Sequence, residues 1–270
     1  MLDYLILILI GIAIASVVSM VGLGGGIFFL PLLILVFHVE PQYAVGTSIF
    51  TMILTNFSAT IGFWKRKKVD WKLALIYDVF DIPGIILGAW ITTQITGRIL
   101  AIICGIALLL LGISVVHKSR QKQEQTKPIG QTDKPSDPVN QKPIVIDYSQ
   151  TWKGKNLKWV IISSFLSGLI TGLVGIGGGT VDTTSMILLG VPAPMAAGST
   201  QLAMLLTNIF GGATHAYYGN VLWVYAIPMG IGALIGAQIG SHYATKIRPE
   251  ILRLLLGMIA IFTGIRLIFL

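Results

Sequence analysis

Apolar residues fill ten stretches of this chain, at about 4 to 21, 27 to 37, 43 to 63, 73 to 93, 99 to 116, 157 to 174, 183 to 192, 196 to 218, 223 to 244 and 251 to 270. A helix rises about 1.5 Å per residue, so about 20 residues cross about 30 Å of hydrocarbon. Eight runs reach or approach that length and two fall short. The runs are continuous rather than alternating, which excludes a barrel and predicts an all-α polytopic membrane protein. Each short run lies just after a glycine cluster, GLGGG at Gly22 to Gly26 and GIGGG at Gly175 to Gly179.

Those clusters belong to a longer internal repeat with an offset of about 152 residues. AVGTSIFTMILTN from Ala44 to Asn56 returns as AAGSTQLAMLLTN from Ala196 to Asn208, with six of thirteen positions identical. Trp71 matches Trp223, Gly84 and Gly88 match Gly236 and Gly240, and Gly105 and Gly112 match Gly257 and Gly264. The expected organisation is a first transmembrane repeat at 1–117, a cytoplasmic polar linker at 118–156 and a second repeat at 157–270. Each repeat holds about five helical elements, broken or short at the glycine motifs.

Composition agrees with lipid as the main solvent: 54% of residues are hydrophobic, 11% are charged, and mean hydropathy is +0.81. The net charge of +8 reads as topology rather than nucleic-acid binding, because the cations cluster. They gather at Lys65, Arg66, Lys67, Lys68 and Lys72, in the polar stretch from Lys118 to Lys158, and at Lys246, Arg248 and Arg253. The positive-inside rule puts these three groups in the cytoplasm and both termini outside, in the plasma (inner) membrane. The loop matching the first cluster, Tyr217 to Asn220, is uncharged and is expected outside, so the repeats are expected to be inverted. The stretch from Lys118 to Gln150, rich in Gln, Lys, Pro, Thr and Asp, reads as a flexible linker. The lone cysteine, Cys104, lies in an apolar run and reads as a packing residue.

Three adjacent glycines weaken a helix by about 1 kcal/mol each, so the motifs predict breaks. A break that opens a new helix leaves free N–H groups and a positive dipole end, which together attract an anion. Gly24, Gly25 and Gly26, with Gly177, Gly178 and Gly179, are therefore candidate substrate-binding residues; the alternative for such glycines is close helix packing. Thr47, Ser48 and Asn56 in one repeat, and Ser199, Thr200, Gln201 and Asn208 in the other, add neutral hydrogen-bonding groups to the candidate site. Their alternatives are helix capping and interhelical bonding. Thr55 and Thr207 read more simply as links between helices. Asp182, Asp78 and Asp81 lie in apolar runs and are candidates for proton coupling, as is His215. Asp182 could instead cap its helix, Asp78 could lie at the cytoplasmic interface, and His215 could be a packing residue. No HExxH, GxSxG or CxxC pattern appears, so neither an enzyme nor a metal site is expected, and no cofactor is implied.

The segments VGLGGGIFFLPLL, GTSIFTMILTN, GLVGIGGGTVDTTSMIL and GSTQLAMLLTN, with the basic loop, resemble the sulfite exporter TauE/SafE family of anion permeases. The resemblance covers nearly the whole chain except the linker. It implies ATP-independent export of small sulfur-containing anions such as sulfite or sulfoacetate. The second copy departs from the first at the position of Pro31, where TVDTTSM replaces IFFLPLL. The expected partners are a small anionic substrate and the lipid bilayer, without nucleic acid; the oligomeric state is left open. The expected mechanism is alternating access. The alternatives are a passive channel or facilitator for a small anion or neutral solute, and a membrane subunit whose linker binds a cytoplasmic protein.

Single cysteines introduced at Lys65 and Tyr218 in a Cys104-free background should label from opposite faces of the membrane. Labelling of both from one face would overturn the inverted arrangement.

Overall fold

Every apolar run forms a helix in the computed structural model, which describes residues 2–21, 25–125, 154–243 and 249–269. Among the described residues there are ten helices and no strand. The first five are α1 (Leu2–Val21), α2 (Gly26–Leu35), α3 (Pro41–Lys65), α4 (Trp71–Gln94) and α5 (Gly97–Gln125). The second five are α6 (Gly154–Val174), α7 (Gly179–Leu188), α8 (Ala193–Tyr217), α9 (Trp223–Tyr243) and α10 (Pro249–Ile268). Five spans, Asp3–Met20, Pro41–Lys65, Trp71–Gln94, Gly97–Val116 and Trp223–Tyr243, are long and apolar enough to cross a membrane.

Local chemistry fixes the ends of these helices. Proline occupies the first turns of α3 and α8, where its missing N–H costs nothing. The Asp70 carboxylate accepts from the N–H groups of Lys72 and Leu73 at 3.0 and 3.2 Å and so caps α4. Helix α5 runs past the expected boundary after His117 as far as Gln125. The added residues are mostly Lys, Arg, Gln and Glu, which lose little side-chain freedom in a helix. Most of the expected linker, 126–153, lies outside the described residues, as do Gly22 to Gly24 and the cations Lys246 and Arg248.

The outside of the bundle is apolar: Leu9, Leu110, Ile113, Ile162 and Phe262 are each more than half exposed. Polar side chains point inward, with Thr47, Ser48, Asn56, Asp182 and Ser199 fully buried. That is the arrangement lipid requires of a helical bundle.

Glycine holds the main helix pairs together. Gly84 and Gly88 of α4 lie against the carbonyls of Phe165 and Leu169 on α6. Gly236 and Gly240 of α9 lie against the matching carbonyls, Ile12 and Ser16, on α1. From α6, Gly168 and Gly172 return the contact onto the carbonyls of Asp81 and Ile85. At each position a Cβ would collide with backbone, so only glycine permits the approach.

The register of these contacts gives the helix directions. Residues 12 and 16 follow 236 and 240, so α1 and α9 run parallel, and by the same reading so do α4 and α6. Gly105 meets Gly264 and Ile268 whereas Gly112 meets Gly257 and Ile261, so α5 and α10 run antiparallel. Gly46 meets His215 and Asn220, and its counterpart Gly198 meets Phe63 and Lys68, which makes α3 and α8 antiparallel too. The repeat-related helices thus oppose each other wherever they touch, and exchanging the halves reproduces the contacts.

Replacing Gly84 or Gly236 by alanine should therefore cost about 1 to 3 kcal/mol each, the usual penalty of overpacking. Thermal unfolding of the purified variants in detergent measures it, and a change below about 0.5 kcal/mol at both positions would contradict the close approach.

Candidate functional site

The site begins where the two glycine motifs meet. Gly25 at φ +100° and Gly175 and Gly177 at φ +67° and +90° adopt left-handed conformations that L side chains rarely take. Gly26, the first residue of α2, lies directly against the carbonyl groups of Gly175 and Ile176. Neither α2 nor α7 has a side-chain N-cap. Each spans ten residues, about 15 Å, so each is a half-helix that starts inside the protein. Gly25, Gly26, Gly177, Gly178 and Gly179 are all buried, and Gly24 is outside the described residues.

Around this junction stand the middles of α3 and α8. Ile49 and Ile53 of α3 face Gly212 of α8, and Phe63 faces Gly198, so Asn56 and Asn208 come to the same level of the bundle. Asn56, Gln201 and Asn208 are at most 1% exposed, and neither amide atom of any of the three has a hydrogen-bond partner. An unsatisfied buried amide costs several kcal/mol on transfer scales and is rare in native proteins. All three stand on α3 and α8, Asn56 on the first and Gln201 and Asn208 on the second.

The hydroxyls behave differently from the amides. Thr47 accepts from the Leu222 N–H at 2.9 Å, and its counterpart Ser199 accepts from the Asp70 N–H at 2.9 Å. These equivalent bonds tie each long central helix to the segment that opens α9 or α4. Ser48 donates to the carbonyls of Val45 and Gly175, which anchors the second glycine loop to α3. Thr200 accepts from Thr183 at 3.0 Å and contacts the Met186 sulfur, linking α8 to α7.

The acids form a separate cluster where α4 of the first repeat meets α7 of the second. Asp182 does not cap α7: its Oδ2 accepts from the Ser167 hydroxyl at 3.0 Å, while its Oδ1 has no partner. Asp78 is buried rather than interfacial and accepts from Thr207 at 2.5 Å, so Thr207 does link helices. Thr55 instead bonds back to Thr51 of its own helix. Asp81, 2% exposed, interacts directly with Asp182 and also leaves Oδ1 unpartnered. Asp81, Ser167, Thr171, Asp182, Thr207 and Asn208 border one narrow enclosed gap, with Gly178 and Met204. On the other side of Gly178 lies a mainly apolar cavity of about 170 Å³ bordered by Leu110, Leu111, Ile170 and Val181.

His215 stands apart from the acids. Its Nε2 pairs with the Gly172 carbonyl at 3.0 Å, its Nδ1 is unpartnered, and the side chain is fully buried at the level of Gly46. Among the described residues, no group of three His, Cys, Asp or Glu side chains is placed to hold a metal ion.

A bundle of apolar helices with paired half-helices and orphaned amides at its centre matches what sequence comparison finds. The model of the sulfite exporter TauE/SafE family matches residues 7–267. The chain belongs to that family. Among curated proteins it is similar to the probable membrane transporter protein YunE of Bacillus subtilis, 28% identical over 99% of this chain and 98% of the relative. It is also similar to YjnA of the same organism, 25% identical over 97% and 98%, and to MJ0441 of Methanocaldococcus jannaschii, 24% identical over 94% and 91%. Both of these are likewise described as probable membrane transporter proteins. No solved structure matches the chain. This TauE/SafE protein is therefore an integral membrane transporter.

Ser167 and Thr171 escaped the sequence reading of this TauE/SafE chain. The signal lay in the repeat itself: their counterparts are Ile14 and Val18, just as Asp182 and Asp81 correspond to Phe29 and Ala233. Polar residues on one side of these pairs and apolar residues on the other show that the acid cluster, drawn from both repeats, breaks their symmetry.

The bonds from Thr47 and Ser199 predict a structural cost for losing either hydroxyl. Thr47→Val should lower stability by about 1 to 3 kcal/mol, because the Leu222 N–H loses its acceptor. Thermal unfolding is the measurement, and an unaltered midpoint would show that water replaces the hydroxyl.

Proposed function

We propose that this protein is a secondary transporter exporting small sulfur-containing anions, sulfite or an organosulfonate such as sulfoacetate, across the plasma membrane by alternating access. The observation that carries the reading is the set of buried, unpartnered amides of Asn56, Gln201 and Asn208 on α3 and α8, together with two uncapped half-helix N-termini, of which the second shares a gap with Asn208. Amide N–H groups and helix dipoles hold an anion without a fixed cation. Binding of that kind is weak enough to allow release. The family description and the descriptions of the relatives support transport; the choice of a sulfur oxyanion follows the family description.

The antiparallel meeting of α3 with α8 and of α5 with α10 supports a reading of the halves as inverted repeats. In that reading the basic loop after α3 and the linker face the cytoplasm and both termini face outward. Motion of one half against the other then opens the shared site to each side in turn. Asp81 and Asp182 take up and release a proton during the cycle, and Asp78 holds Thr207 beside them. The substrate surface is drawn chiefly from Gly25, Gly26, Gly177 to Gly179 and the three amides. Ser48 and Thr200 support the loops around it.

Asn56→Leu and Asn208→Leu separate this role from a structural one. Each should reduce efflux of radiolabelled sulfite from proteoliposomes at least tenfold, while the thermal midpoint holds or rises because an unsatisfied amide has been removed. Parental efflux rates in both variants would overturn the site assignment.

A further inference from the structure

Asp81 and Asp182 interact in a gap whose remaining border is oxygen-rich and without basic side chains. The hydroxyls of Ser167, Thr171 and Thr207 and the Asn208 amide surround it. Three of the bordering residues carry buried oxygens without a partner, namely Oδ1 of Asp81, Oδ1 of Asp182 and Oδ1 of Asn208. Asn208 is the observation that reaches beyond an acidic cluster: its side chain is 1% exposed, borders the gap and satisfies neither of its amide atoms within the protein. When the pair holds a single proton it carries one negative charge. In hydrocarbon that charge needs a counter-ion. The gap is narrow, which favours an ion without its hydration shell. A bare sodium ion, with a radius of about 1 Å, is smaller than water, and hard cations of this type prefer carboxylate, hydroxyl and amide oxygens.

We infer that the Asp81, Asp182, Asn208, Ser167 gap is a binding site for one dehydrated sodium ion. The site lies where α4 of the first repeat meets α6, α7 and α8 of the second. Exchanging the repeats puts Phe29, Val18, Ile14 and Ala233 in place of Asp182, Thr171, Ser167 and Asp81, and these four offer no side-chain oxygen, so one ion binds per protein. Asp78 is committed to Thr207, and Tyr77, the other titratable neighbour, is hydrogen-bonded to Ser185 at 2.8 Å. Neither supplies a cation. The inference rests on the coupling role proposed above for these acids, but binding is measurable without any anion or any transport.

Equilibrium binding of radioactive sodium to the full-length protein in detergent, at constant ionic strength with choline as the replacement cation, tests it. Saturable binding of about one sodium per chain, with potassium at least tenfold weaker as a competitor, is expected. Asp182→Asn and Asn208→Leu should each weaken it at least tenfold. Ser167→Ala, a milder change for any variant that folds poorly, should weaken it several-fold. Absence of saturable sodium binding by the parental protein between pH 6 and 9 would overturn the inference. So would undiminished binding in folded Asp182→Asn protein. Loss of sulfite efflux alone would count against the transport reading and leave the binding result standing.

Discussion

The contact between α4 and α6 is the constraint on which the rest of the interior depends. Gly168 and Gly172 bring the α6 backbone against the carbonyls of Asp81 and Ile85, and Gly84 and Gly88 answer from α4. Lipid supplies no hydrophobic force between helices, so small residues and close van der Waals contact must do the joining. Because the helices touch at Gly168, Ser167 and Asp81 border the same gap, and Asp182 reaches both from the start of α7. A larger residue at Gly168 would push the helices apart at the level where the acids meet.

The same contact recurs between α1 and α9 without any acids. Gly232, Gly236 and Gly240 lie on the carbonyls of Ile8, Ile12 and Ser16, and Phe29 occupies the place of Asp182. The frame is thus shared while the chemistry is not. Structural polar groups follow the frame: Thr47 with Leu222 has its equivalent in Ser199 with Asp70. Asn56 and Asn208 follow it as well, whereas Asp81 and Asp182 have Ala233 and Phe29 as their repeat counterparts. A duplicated scaffold can thus carry carboxyls at only one of its two equivalent helix junctions.

Much of this was legible in the sequence, for identifiable reasons. Continuous apolar runs and glycine breaks depend on local chemistry, so all ten helices and the half-length of α2 and α7 could be read directly. The exposed amides of a soluble protein would say little, but Asn56, Gln201 and Asn208 lie in apolar runs, where burial follows from the solvent. What sequence left open was the use of each hydroxyl. Thr47 and Thr55 lie two turns apart in one helix, yet one holds a distant N–H and the other bonds to its own helix. That difference depends on which backbone passes nearby. The partnership of Ser167 with Asp182 was hidden for the same reason, since α6 and α7 are joined by a loop whose left-handed glycines set the angle.

The orphaned groups argue finally for a protein built around exchange rather than permanence. If evolution had optimised only the fold, leucine at Asn56 or Asn208 would remove an unmet desolvation cost at little steric expense. The carboxyls of Asp81 and Asp182 are costlier still, because each leaves a buried oxygen without a partner. Their counterparts, Phe29 and Ala233, are compatible with the same helix packing, so the scaffold does not require the acids. Ligands that arrive and leave can satisfy these groups only part of the time. A transport cycle is such a condition: in the function proposed above, stability given up in the empty state becomes binding free energy when a ligand enters.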